Sequence, residues 1–156
     1  MAPPPDPFAI RLAEPGEAIT VRDLVQRAYA RWVPVVGRRP APMDDDYGAH
    51  ITAREVFVLT IDGVITAVLV LMPRPDHLLL DNIAVEPGSA GQGLGRRLIQ
   101  FAEMEALRWG RAELRLFTHE RMVGNVDLYA RLGFVETHRA SVEGFDRVFM
   151  SKAIPA

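Results

Sequence analysis

The run Gly91-Gln92-Gly93-Leu94-Gly95-Arg96-Arg97-Leu98 places three glycines between a predicted strand and a predicted helix. Closely spaced glycines let the backbone curl until several N–H groups point at one spot, and they leave no Cβ in a ligand's way. The positive end of the helix dipole adds to those donors, so the loop suits a phosphate or pyrophosphate. Arg96 and Arg97 strengthen this reading. Cations in a first helical turn oppose the dipole by about 0.3–1 kcal/mol each, and a bound polyanion reverses that sign. The structural alternative is a tight turn with no ligand, although three glycines exceed what a turn requires. The dinucleotide fingerprint fails, because Arg96 and Leu98 stand three positions after Gly93 and Gly95. The nucleotide P-loop fails as well, since Leu94 follows Gly93 where lysine is needed. Two titratable residues stand out. Asp81 lies in an otherwise apolar strand, where desolvation raises a carboxyl pKa. His119 ends a later strand and has an intrinsic pKa already suited to proton transfer. Each also has a structural reading, as a strand-end hydrogen bond or a solvated charge.

These residues must be positioned by a regular framework. Phe8–Ala13 alternates as a first strand, and Glu14-Pro15-Gly16-Glu17 ends it. Leu24, Ala28 and Trp32 recur at helical spacing, which predicts an amphipathic helix over Ala18–Val33. Pro34–Pro42 reads as a loop. Asp44-Asp45-Asp46 stands where a short second helix begins, capping it and complementing its dipole. Val56–Ile61 and Val64–Leu71 flank Asp62-Gly63, a strong hairpin signal. His77–Val85 is a further strand and Glu86–Gly91 a loop. Leu94, Leu98, Phe101, Ala102 and Trp109 form the buried stripe of the next helix. Leu114, Leu116 and Thr118 alternate with Arg115, Phe117 and His119 in another strand. A helix over Met122–Leu132 stops at Gly133. Phe134–Ala140 and Arg147–Lys152 close the chain as antiparallel strands that turn at Glu143-Gly144.

Asp81-Asn82-Ile83-Ala84-Val85-Glu86-Pro87, followed by the glycine-rich run, resembles the signature strand and loop of the GCN5-related N-acetyltransferase (GNAT) superfamily. Leu128-Tyr129-Ala130-Arg131-Leu132-Gly133-Phe134 is similar to its second landmark, a tyrosine shortly before a Leu-Gly-Phe turn. The resemblance in element order covers about Phe8 to Lys152 and implies an α/β (α+β) fold. It would be a single mixed, mostly antiparallel twisted sheet flanked by helices. Residues 1–7 are then expected to be a flexible tail and 8–156 a single domain. The resemblance implies acetyl-CoA as cofactor and transfer of acetyl to a primary amine of a small molecule or peptide. It assigns main-chain alignment of the pantetheine and acetyl group to Ile83, Ala84 and Val85. Pyrophosphate contacts fall to Gln92, Gly93, Leu94, Gly95, Arg96 and Arg97, and protonation of the departing thiolate to Tyr129. Many family members carry a cofactor-contacting asparagine seven residues before that tyrosine. Met122 occupies this position, so Asn125, one turn before Tyr129, is either a cofactor contact or simply a polar helix residue. The family's loop usually begins with Gln or Arg where this chain has Ala90, which implies a weaker or differently held pyrophosphate.

A neutral amine must attack the thioester, so the site needs a route for the amine proton. Asp81 and His119 are candidates, and some similar enzymes use ordered water. Trp32 and Tyr47, with Met43, are candidate walls of the acceptor site, and Asp44-Asp45-Asp46 could attract a cation. Direct transfer in a ternary complex agrees with the absence of cysteine. Two alternatives keep the loop: a non-catalytic acetyl-CoA-binding regulator, and an acyltransferase using another acyl-CoA.

The 156 residues suffice for one domain with a real core. A net charge of −2 gives no reason to expect a nucleic-acid or anionic-membrane surface. No apolar run approaches the roughly 20 residues of a membrane span. Met1–Pro7 lacks the basic and apolar regions of a signal peptide, so a cytoplasmic location is expected. His50, His77 and His138 show no metal-ligand spacing, and no metal is expected. A homodimer is possible.

Overall fold

Asp62 and Gly63 both take positive φ, 50° and 84°, the two-residue turn whose twist suits paired strands. They join β2 (Val56–Ile61) to β3 (Val64–Pro73) in the computed structural model, which describes residues 6–155. Glu143 and Gly144, at 52° and 81°, do the same for β6 (Val135–Val142) and β7 (Phe145–Ala153). With β1 (Phe8–Leu12), β4 (Leu78–Val85) and β5 (Glu113–His119), these strands form one sheet of order β1-β2-β3-β4-β5-β7-β6. Neighbours are antiparallel except β4 and β5, which run parallel. The expected mixed, mostly antiparallel sheet is therefore the observed one.

Each sheet face carries its own core. The stripe Leu94, Leu98, Ala102 and Ala106 of α4 (Leu94–Arg108) joins Tyr129 of α5 (Val123–Arg131) against Leu80, Leu114, Leu116, Val148 and Met150. On the other face, Val21, Leu24 and Val25 of α1 (Ala18–Tyr29) meet Ile51 and Val58, Val68 and Val70. Each fully buried leucine or valine in these layers contributes about 1.5–3 kcal/mol by leaving water. No helix among the described residues is long and apolar enough to cross a membrane.

The first helix is shorter than its periodicity predicts. It ends at Tyr29, passes through a 3-10 turn at Ala30–Trp32, and resumes as α2 (Val33–Val36) inside the expected loop. Pro34 explains both differences. It has no N–H to continue a helix begun at Ala18, yet it is tolerated in the first turn of a new one. The Asp44-Asp45-Asp46 expectation holds for Asp46, which caps α3 (Tyr47–Thr52) by accepting from the Ala49 N–H at 3.0 Å. Trp109 is not part of the buried stripe. It sits at the C-cap of α4, where Gly110 (φ 68°) turns the chain away, and stays 52% exposed. Of the expected 1–7 tail, residues 1–5 lie outside the described residues. Asp6 accepts from the Phe8 N–H and the Pro7 carbonyl from the Asp62 N–H.

Candidate active site

β4 and β5 pair only at Leu78–Leu80 against Leu114–Leu116, and beyond Leu80 they part. Asp81 is the reason. Val70 of β3 pairs with Asn82 and Leu71 with Leu80, so Asp81 has no partner on β3 and forms a bulge. A bulge bends its strand, increases the local twist and shifts the side-chain alternation by one. Leu78 and Leu80 face the α4/α5 core before it; Ile83 and Val85 face that core after it, and Ala84 turns to the α1/α3 core. The segment Asp81–Val85 thus has no strand neighbour on the β5 side. Backbone groups there need another partner.

The parted strands enclose a cavity of about 600 Å³ including its mouth. Leu80–Ile83 form one wall and Leu116–His119 the other, with Tyr29, Met122, Asn125, Tyr129, Phe145 and Arg147 around them. Pro40–Pro42 and Val36 border the mouth.

Asn82 anchors the bulged strand. It is 3% exposed; its Oδ1 accepts from the Tyr29 hydroxyl at 2.6 Å and its Nδ2 donates to the Tyr47 hydroxyl at 2.9 Å. Tyr47 in turn donates to the Pro42 carbonyl at 2.6 Å, and the Tyr29 hydroxyl also lies 3.1 Å from the Ile83 carbonyl. One side chain therefore ties β4 to α1, α3 and the Pro40–Pro42 rim. Replacing Asn82 with leucine removes both bonds while Tyr47 keeps the Pro42 carbonyl and Tyr29 the Ile83 carbonyl, so each loss costs about 0.5–1.5 kcal/mol. Asn82→Leu is expected to lower the thermal midpoint and also the turnover at temperatures where the variant is folded. A midpoint equal to the parent's would show that the network does not hold the strand.

The glycine-rich loop lies beyond the same end of β4. Gly93 (φ 76°) is the N-cap of α4 and offers no side-chain cap. The Arg97 N–H bonds the Gly93 carbonyl at 3.2 Å, so the N–H groups of Leu94, Gly95 and Arg96 lie before the first intrahelical bond. A Cβ added at Gly91, Gly93 or Gly95 would meet nothing within 4 Å. Gly95 has an ordinary helical φ, so neither strain nor packing demands glycine there. The open space beside it could admit a ligand pressed on the backbone. Arg96 and Arg97 are exposed, and Arg97 stacks on Phe8 with its guanidinium carbon 4.0 Å from the ring centre. Free donors, an uncapped dipole and nearby cations fit a pyrophosphate.

The titratable groups of the cavity differ in readiness. Tyr129 is 9% exposed, and burial alone pushes its hydroxyl up to about 12, so it stays protonated at neutral pH. Burial raises the Asp81 carboxyl above the usual carboxylate range, and the charge of Asp45 adds to this. Burial lowers the His119 imidazole, against the pull of Asp146 and Glu120. The Nδ1 of His119 accepts from the Arg121 N–H at 3.1 Å, so the neutral ring carries its proton on Nε2 and has no free basic nitrogen. Asp45, His50 and Asp81 bring donor atoms within 4.8 Å of one another. His50 already spends both nitrogens, on Asp45 at 2.9 Å and Glu55 at 2.8 Å. Burial lowers its pKa, but those two carboxylates outweigh it and the net direction is up.

The structure brings Asp81, Ile83, His119, Asn125 and Tyr129 to one cavity. Tyr47 and Trp32 are not on its wall. Tyr47 lies one layer behind, bonded to Asn82, and Trp32 packs beside Val36, Met122 and Phe145. Tyr29, Asn82 and Arg147 escaped sequence reasoning. An asparagine inside an apolar strand was the available signal for Asn82; Arg147 reads as an ordinary strand charge.

Residues 20–134, well over half of the chain, match the family model described as Acetyltransferase (GNAT) family. The chain belongs to that acetyltransferase family. Solved structures with the same fold include the PaiA N-acetyltransferase of Thermoplasma acidophilum in complex with coenzyme A. It is 15% identical over 94% of this chain and 98% of that one, with a TM-score of 0.79. The ribosomal-protein-S18-alanine N-acetyltransferase of Escherichia coli is 24% identical over 96% and 95%, with a TM-score of 0.73. YncA of Salmonella typhimurium, a putative acetyltransferase with its cofactor acetyl-CoA, is 20% identical over 96% and 95%, with a TM-score of 0.72. At these identities the likeness shows the fold. No curated protein sequence matches this chain significantly.

Proposed function

We propose that the chain transfers acetyl from acetyl-CoA to a primary amine of a small molecule or peptide, by direct attack in a ternary complex. The observation that carries this reading is the break between β4 and β5, which frees the backbone of Ile83–Val85 between a donor-rich helix end and a cavity holding Tyr129 and Asp81. Acetyl-CoA bound there supplies an acetyl thioester and, on transfer, a thiolate leaving group.

The N–H groups of Gln92–Arg96 hold the pyrophosphate, with Arg96 adding charge. Arg97, drawn onto Phe8, contributes field more than contact. The main chain of Ile83, Ala84 and Val85 would align the acyl arm through backbone groups alone. Asn125, one turn before Tyr129 on the cavity wall, would contact that arm. Tyr129, protonated up to about 12, donates to the sulfur as it departs. Asp81 takes the amine proton. Its raised pKa suits a base, and its neighbours Asp45 and His50 offer the proton a way out of the cavity. His119, with its basic nitrogen engaged, forms the wall.

The pH dependence separates the two base candidates. Turnover at saturating substrate is expected to rise as Asp81 ionises, with a midpoint above the ordinary carboxylate value, and to show no alkaline fall from Tyr129 until about pH 12. Asp81→Asn should remove the acid limb and lower turnover by about 100-fold. His119→Gln should keep that limb. An unchanged limb in the asparagine variant would take the role away from Asp81. Acetyl-CoA turnover against a broad amine library tests the whole reading. Coenzyme A binding with no turnover on any amine would favour a regulator instead.

A further inference from the structure

The cavity holds opposite charges that do not pair with each other. Asp81 is on the β4 wall and Arg147 on β7, across the sheet from His119 in register. The Arg147 guanidinium carbon lies 4.1 Å from the centre of the Phe117 ring and 6.0 Å from that of Phe145. Among the described residues, Arg147 forms no ion pair with a carboxylate, and its guanidinium rests on Phe117 instead. A guanidinium laid flat on an aromatic ring is held in place by its face and keeps its edge donors free. Those donors form a planar fork that matches a carboxylate. Arg38 lies with its guanidinium carbon 4.0 Å from the Phe145 ring centre and donates to the Glu143 carbonyl, which puts a second cation beside Phe145.

We propose that the acceptor is a small amino acid-like molecule whose carboxylate is gripped by Arg147 while its amine lies towards Asp81. This rests on the acetyltransferase reading and narrows it to a substrate class. A cavity with one anionic and one cationic wall rewards a zwitterion twice. A plain amine leaves the guanidinium unmatched, and a plain acid leaves the carboxylate unmatched.

The test uses matched sets in which one side chain appears as the amino acid, its primary amide and the decarboxylated amine, with a dipeptide beginning in the same residue as a further arm. Steady-state acetylation of each is measured with the full chain. The ratio of kcat/KM for the amino acid over the decarboxylated amine is expected to exceed unity by about 10- to 100-fold, the range of one charge-assisted pair. Arg147→Gln should bring that ratio to about one, chiefly through KM, and Arg147→Lys should recover part of it. Arg139→Gln, on an exposed pair with Glu136, should leave the ratio unchanged. Melting curves and coenzyme A titrations confirm that each variant is folded and loaded. Equal use of amino acid, amide and amine by the parent would overturn the proposal, as would a ratio unmoved in Arg147→Gln. A preferred dipeptide would overturn the free amino acid. All three results leave acetyl transfer itself standing, whereas absence of coenzyme A binding and turnover in the parent would remove it together with this inference.

Discussion

Gly93→Asp is expected to yield a folded protein that no longer binds coenzyme A. The positive φ of 76° at this position costs an L-residue about 1–2 kcal/mol, and aspartate is among the residues that tolerate it best. Its Cβ would meet no protein atom within 4 Å. The fold therefore loses little. Binding loses far more, because the new carboxylate stands where the loop's N–H groups converge and presents negative charge to a diphosphate. Removing two or more hydrogen bonds to a charged group costs about 3 kcal/mol or more, which is at least a hundredfold in Kd. Calorimetry with coenzyme A, set beside a melting curve, checks both halves. Retained affinity in the variant would place the nucleotide somewhere other than the helix end. A comparison with Gly95→Ala sharpens the point. Alanine is the better helix former and gains about 0.8–1 kcal/mol of propensity in a helix interior, so a variant that is no less stable yet binds less tightly would show that glycine there serves the ligand.

Tyr129→Phe is expected to lower kcat by about 100-fold or more, with little change in coenzyme A affinity or stability. Burial is the sole source of the tyrosine's raised pKa, and the ring itself packs against Phe134 with centroids 5.8 Å apart. Phenylalanine keeps that packing and removes only the proton donor. The discriminating measurement varies the leaving group. If the hydroxyl protonates sulfur, an acyl donor whose thiol has a low pKa needs less help and should close much of the gap between variant and parent. An equal deficit with both donors would assign Tyr129 to positioning the thiol. Unchanged turnover would remove it from the chemistry altogether.

Residues whose chemistry is local were readable along the chain. Glycine spacing announced the loop, and the hairpin turns at Asp62-Gly63 and Glu143-Gly144 followed from residues that accept positive φ. The Leu-Gly-Phe turn marked the end of α5 because Gly133, at φ 99°, takes the left-handed conformation that ends a helix. Tyr129 was singled out by its place before that turn. Asp81 was noticed as a carboxylate in an apolar strand, but its deeper role as the bulge was not. A bulge is a property of two strands in register, so β4 alone cannot display it. Trp32 and Tyr47 lie off the cavity wall, which the sequence did not show for a related reason. Tyr47 faces the α1/α3 core and Trp32, in the turn after α1, packs beside Val36, Met122 and Phe145, and neither arrangement is visible before the elements meet.

Local spacing, turn chemistry and alternation within the chain were enough for the strands and the longer helices, the glycine-rich loop and membership in a recognisable architecture, since each depends on neighbours a few positions apart. The cavity was another matter. It exists because β4 and β5 separate after three pairs, and it is furnished by residues as distant in the chain as Tyr29, Asn82, Tyr129 and Arg147. Whether a buried phenol finds an amide, or a guanidinium finds a ring instead of a carboxylate, follows from how strands and helices meet across the sheet. No stretch of residues carries that arrangement alone.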